Sequence, residues 1–239
     1  MKQFSLLFCL LTLSISTLLA QEGTNREEII ETYSKFVPIL QETATGGFYA
    51  EPSKTIKGHP RFIEAPLTPG KITINGINYV DIPLSYDIFT DDLVTFHPSQ
   101  NQRIILKPEK VSRFVLSDGT EFTFKPSHPG YFYYRNGIYE LIWEEGVEVL
   151  AKHHKHTKVG KDDGQHSVVF FQVSDFFILK DGEFHPIKRK KQVIKLLGLD
   201  KKALKPVLKE NGIRYRTMKR EYLKTAAKMY AQGLTDKEQ

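Results

Sequence analysis

From Lys71 to Ile187 the chain is written in short aromatic and β-branched runs separated by polar turn residues. Ile72-Thr73-Ile74 meets Asn75-Gly76 and resumes as Ile77 to Ile82, followed by Leu93 to Phe96, Arg103 to Leu106 and Val111 to Leu116. Asp118-Gly119 precedes Glu121 to Lys125. Tyr131 to Arg135 turns at Asn136-Gly137 into Ile138 to Glu144, and Val147 to Lys152 follows Gly146. Val168 to Val173 and Phe176 to Leu179 close the series, with Asp181-Gly182 turning towards Phe184. A two-residue hairpin turn needs positive φ, which Asn-Gly and Asp-Gly accept at low cost. Turns at intervals of about 8–12 residues predict an antiparallel meander rather than βαβ units.

Helical spacing flanks this region. Thr24 to Glu28 reads as a capping box, and Ile29, Ile30, Tyr33, Phe36, Val37 and Leu40 recur every three or four residues until Pro38 weakens the pattern. Near the other end, Val193, Ile194, Leu196 and Leu197 precede Gly198, a C-terminal cap. Asp200 is placed to cap a second helix carrying Ala203, Leu204, Val207 and Leu208, which Pro206 should bend or shorten. Thr217 is placed to cap a third, with Tyr222, Leu223, Ala226, Ala227 and Tyr230 on one side and Gly233 at its end. The pattern predicts an α+β protein. A leader covers 1–20, a helix 21–45 and an extended Gly/Pro-rich linker 46–70. A mainly antiparallel β-domain covers 71–187, with about eight to ten strands as a meander, sandwich or partly open barrel. A small basic helical segment covers 188–239.

Residues 1–20 carry a different message. Lys2 is their one charge, Phe4 to Leu19 is an apolar run diluted by Ser and Thr, and Ala20 is a small residue before polar Gln21. That is the layout of a secretory signal peptide, whereas a membrane anchor needs roughly 20 predominantly apolar residues. The expectation is export by the general secretory route to the periplasm or beyond, with no stable membrane span after cleavage. Cys9, the sole cysteine of the 239 residues, would leave with the leader. Cysteine catalysis, CxxC redox chemistry and Cys-ligated zinc are thereby excluded from the mature chain.

The composition, 40% hydrophobic and 26% charged, excludes a disordered chain. The net charge of +6 hides a division. Residues 188–239 hold 16 Lys and Arg against 5 Asp and Glu, whereas 21–187 hold 17 against 23. The basic segment predicts a surface for an acidic partner. Lys190, Lys191, Lys201, Lys202, Lys205, Lys209, Lys219 and Arg220 are the candidate contact residues, on the solvent side of helices whose apolar stripes dock. Export leaves little opportunity for nucleic acid, so the expected partner is an envelope protein or an anionic envelope polymer.

The wording Ile77-Asn78-Tyr79-Val80-Asp81-Ile82-Pro83-Leu84-Ser85-Tyr86-Asp87, then Asp91-Asp92-Leu93-Val94, Lys110 to Phe114 and Gly130 to Tyr133, resembles uncharacterised secreted proteins of Bacteroidota. So do Lys190 to Leu208 and Asn211 to Tyr215. The resemblance implies an envelope or extracellular setting and carries no activity or site residue.

Candidate chemistry is sparse. His153, His154 and His156, with His166 beyond, are metal-ligand candidates. On an extended chain His154 and His156 share one face and His153 takes the other. Lys152 and Lys155 bring positive charge beside them, and residues 155–166 read as an exposed hairpin loop. Asp81, Asp87, Asp91 and Asp92 lack EF-hand spacing and read as turn and strand-end caps. Glu140, Glu144, Glu145 and Glu148 offer carboxylates for glycoside hydrolysis without a mark of geometry. There is no GxSxG, HExxH, GxxxxGK or GxGxxG. No catalytic or cofactor-binding residue is assigned and no cofactor is expected. A non-enzymatic binding or accessory module of the envelope is the leading expectation. A small apolar-ligand carrier with a β-barrel cavity comes next, and a hydrolase is third.

Overall fold

The computed structural model describes residues 46–97, 101–162 and 165–233. The leader and helix expected over 1–45 lie outside the described residues.

The turn chemistry produces a single sheet. Its strands are β1 (Thr68–Ile74), β2 (Ile77–Asp87), β3 (Asp92–His97), β4 (Gln102–Ile105), β5 (Val111–Val115), β6 (Glu121–Phe124), β7 (Ile138–Trp143), β8 (Glu148–Asp162), β9 (Gln165–Lys180) and β10 (Glu183–Pro186). Every pairing is antiparallel, in the order β10-β9-β8-β7-β6-β5-β1-β2-β3-β4. The sheet is therefore open, with β10 and β4 as its outer strands, and is not a closed barrel. Asn75 and Gly76 (φ 50° and 79°) and Asp181 and Gly182 (φ 52° and 80°) make the expected tight turns. β1 lies between β2 and β5. At its irregular point a Cβ on Gly70 would stand 2.5 Å from the Val115 carbonyl oxygen, so only glycine allows that approach.

The sheet curls until the β2–β3 turn meets β8, where Lys155 N–H donates to the Ile88 carbonyl at 2.9 Å. Tyr86, Phe114 and Phe122 fill the inside of the curl, with Tyr86 edge-on to Phe122 at 5.0 Å and Phe114 stacked on Phe122 at 4.8 Å. The extended segment before β1 lies against the sheet through bridges Phe48–Ile104, Lys57–Val169 and Arg61–Asp87.

Two readings within the β-domain need correction. Tyr131 to Arg135 is not a strand: residues 125–137 form a looped flap over β7–β9. Tyr131 donates to Asp175, Tyr134 donates to the Lys125 carbonyl, and Tyr131 packs with Tyr139 and Phe177, so these aromatic side chains are spent on a face rather than on a ladder. Residues 155–166 are not a long loop either. β8 continues to Asp162 and β9 resumes at Gln165, making a 15- and 16-residue hairpin.

Helices α1 (Lys190–Leu197), α2 (Lys201–Glu210) and α3 (Lys219–Ala231) cover the opposite face of β7–β9. Val193, Leu197, Leu204, Tyr222, Leu223, Ala226 and Met229 bury against Ile142, Val149, Ala151 and Ile178. Each such large apolar side chain contributes about 1.5–3 kcal/mol, so the helices are part of the fold. Gly198 ends α1 in the left-handed region, and the Asp200 carboxylate caps α2 by accepting from Lys202 N–H at 2.7 Å. α2 runs through Pro206 without ending there, and α3 starts after Met218 with no side-chain cap, so Thr217 does not serve as one.

Candidate functional site

Only Gly198, Leu199 and Asp200 separate α1 from α2, and buried Leu199 pins that link to the core. The two helices leave between them a groove of about 520 Å³. Ile194, Leu204, Leu208, Ile213 and Tyr222 form its apolar lining, and Lys190, Lys191, Lys201, Lys205 and Lys209 its basic rim. All five lysines are exposed. Leu204 and Leu208 are one turn apart, and so are Lys201, Lys205 and Lys209. The lysine row thus runs along the apolar row for about 12 Å, at 1.5 Å per residue. No Asp or Glu lines this groove among the described residues.

Five of the eight basic candidates therefore converge. Lys202 is exposed but does not line the groove. The other two are engaged by the fold, Lys219 half-buried and Arg220 still partly exposed. Lys219 donates to the Ile187 carbonyl at 2.6 Å and lies 4.7 Å from the Phe176 ring, where burial lowers its pKa. Arg220 donates to Glu140. An amphipathic α3 packed this closely uses those two long side chains to satisfy buried acceptors.

The histidines fall as alternation predicts, His153 on one face of β8 and His154 and His156 on the other, but they are packed and not loop-borne. His153 pairs through Nε2 with Glu140 at 2.8 Å and through Nδ1 with Ser174 at 2.7 Å, and its ring lies 4.9 Å from Phe62. Glu140 is also bound by Arg220. Burial raises its carboxyl, yet the His153 hydrogen bond and the Arg220 guanidinium outweigh burial and hold it below the usual range. The Ser174–His153–Glu140 order resembles a nucleophile, base and acid. Here the carboxylate is shared with the Arg220 guanidinium, and Glu140 and His153 are buried, with the imidazole packed against Phe62 and Phe122. His154 stacks on Tyr133 at 3.8 Å and pairs with Asp175 at 3.3 Å, while His156 packs on Phe171 and His166 is exposed. Among the described residues no group of three or more His, Cys, Asp or Glu is placed to hold a metal ion.

Asp87, Asp91, Asp92, Glu144 and Glu148, among the carboxylates singled out by sequence, have structural partners. Asp87 accepts from the N–H groups of Phe89 and Thr90 and from Tyr49, closing the β2–β3 turn. Asp91 accepts from Tyr86 at 2.6 Å, from Asn136 N–H at 2.7 Å and from the Lys152 ammonium at 2.6 Å. Glu144 pairs with Arg113 and Glu148 with Lys125. Lys155 is also buried, donating to the carbonyls of His59 and Arg61 at 2.8 Å each. Burial pushes its ammonium down to about 8, although Asp87 acts to raise it.

Sequence reasoning missed the Glu140–His153–Ser174 and Asp91–Lys152 sets. Once β7, β8 and β9 are registered, Glu140 opposite Ala151 and His153 opposite Ser174 put the first set on one face. The pairing of Asp91 with Lys152 has no local signal at all. No family model, curated protein or solved structure matches this chain.

Proposed function

We propose that the protein is an exported, non-enzymatic binding or accessory module of a bacterial cell envelope, and that it docks an acidic component on its C-terminal helices. The observation that carries this reading is the convergence of five exposed lysines around one apolar groove. Charge on that rim attracts and orients an acidic partner over a Debye length of about 8 Å at physiological salt. The apolar lining supplies contact area that a purely solvated charge field lacks. The leader pattern of residues 1–20 and the resemblance to secreted Bacteroidota proteins support the envelope setting. The carrier reading has less support, because the sheet is open and its curl is filled by Tyr86, Phe114 and Phe122.

Removing residues 188–239 would strip the apolar cover from β7–β9, so the test keeps the chain whole. A photoreactive side chain replaces Lys205, or as a control the exposed Lys71 on β1, in protein expressed in a native host. The expected result is an envelope-fraction adduct from position 205 only, lost when Lys201 and Lys209 are reversed to Glu around the probe. Equal adducts from both positions, or recovery of the protein only from the cytoplasm, would refute the reading.

A further inference from the structure

The groove has a directional charge pattern. Lys201, Lys205 and Lys209 are spaced i, i+4, i+8 along α2, parallel to the apolar row of Leu204 and Leu208, with Lys190 and Lys191 at the α1 side. A lipid carries its charge at one end and would engage one portion of such a row. A flexible polyanion would match the lysines but leave the apolar lining unused. An α-helix with carboxylates one turn apart meets the lysines along the whole row, and apolar residues on the adjoining stripe enter the groove.

Resting on the docking reading above, we infer that the partner presents an acidic amphipathic helix. Its Asp or Glu residues recur at i, i+4 and i+8 against Lys201, Lys205 and Lys209, and its apolar residues at i+3 and i+7 lie on Leu208 and Ile194. The interaction needs no movement of the fold: the link through Gly198 to Asp200 is capped and Leu199 is buried, so the groove is held open before the partner arrives. Preorganisation of that kind reduces the ordering cost of binding. Rim pairs in water contribute modestly one at a time, so a row of three aligned pairs, together with apolar contact, is what gives selectivity.

The experiment titrates the whole mature protein with two synthetic peptides of identical composition. One has Glu at i, i+4 and i+8 with Leu at i+3 and i+7, and the other has the same residues scrambled to destroy the stripe. A third arm uses vesicles of phosphatidylglycerol in phosphatidylcholine. The patterned peptide is expected to bind about tenfold more tightly than the scrambled one and more tightly than the vesicles. The triple substitution Lys201→Glu, Lys205→Glu, Lys209→Glu should lose about tenfold for the patterned peptide, while its circular dichroism melt shows that the fold persists. Amide shifts on adding peptide should concentrate at 190–213. Equal affinity for the two peptides, shifts centred elsewhere, or no peptide binding would overturn the helix inference. Tighter binding to vesicles would replace it with a membrane surface. Because the crosslinking test uses no peptide, an adduct from position 205 beside a failed titration would leave the docking reading standing and remove this one alone.

Discussion

Arg220 on α3 donates to Glu140 in the middle of β7, so one of the side chains that makes the C-terminal segment basic is used to fasten that segment to the sheet. The same carboxylate holds His153, which holds Ser174, and the chain of contacts joins a helix to three neighbouring strands. Because the Glu140 carboxyl is depressed in the folded state, its contribution is present above its ordinary value of about 4.3 and is lost as pH falls through the folded value. Glu140→Gln should therefore flatten the acid limb of a stability–pH curve from urea unfolding. Arg220→Ala should cost about 1–3 kcal/mol and increase amide exchange in α3 before β8 and β9. Unchanged α3 protection would show that packing alone holds the helix.

Asp91 and Lys152 form a buried ion pair at 2.6 Å, closed by Tyr86, Asn136 and the Ile138 carbonyl. Removing one partner leaves an uncompensated charge in the core. Lys152→Met is expected to lose about 3–5 kcal/mol. Adding Asp91→Asn should cost much less than a second independent loss, because Asn tolerates the positive φ of 73° there. A double-mutant cycle by chemical denaturation measures this, and simple additivity would mean that the pair is not coupled.

Lys155 reports burial at the other end of the pH scale. Its folded value of about 8 lies below the unfolded value of about 10.4, so the unfolded chain binds more protons between them and stability rises with pH across that window. Lys155→Met should reduce this rise relative to the parent. Thermal midpoints taken from pH 7 to 10 give the comparison, and parallel curves would place the ammonium in water.

Much of the fold is legible locally. Asn75-Gly76 and Asp181-Gly182 mark their hairpins because the requirement for positive φ sits within two residues. Gly198 and Asp200 mark helix ends for a similar reason. Tyr131 to Arg135 misleads because a run of aromatic residues satisfies strand composition whether it joins a ladder or lies flat on a neighbouring face. Lys155 misleads in the opposite sense: a lysine between histidines reads as exposed until the carbonyls of His59 and Arg61, distant in sequence, arrive to solvate it. The basic rim was legible as charge and helical spacing. Its division into groove-lining Lys205 and Glu140-bound Arg220 depended on where Glu140 lay.

The histidines give a fourth expectation. His153 is committed to Glu140 and Ser174, His154 to Asp175 and Tyr133, so a chelator should shift the thermal midpoint by less than about 1 °C, whereas a structural zinc contributes folding energy directly. A larger shift reversed by adding zinc would contradict the assignment of these rings to packing.

The place of β1 in the strand order bears on how the chain assembles. β1–β4 and β5–β10 are each series of consecutive hairpins, and one ladder, Lys71 with Val115 through Ile74 with Val111, joins the two series. Within each series, pairing can grow from a nearby turn at small loop-closure cost. The β1–β5 ladder has no such turn and forms only when two separately nucleated halves meet, which is the kind of non-local step that sets folding speed. Gly70 stands at that seam, where a side chain would collide with Val115. The seam, more than either hairpin series, is where nascent chains would be caught half-assembled with two sheet edges exposed.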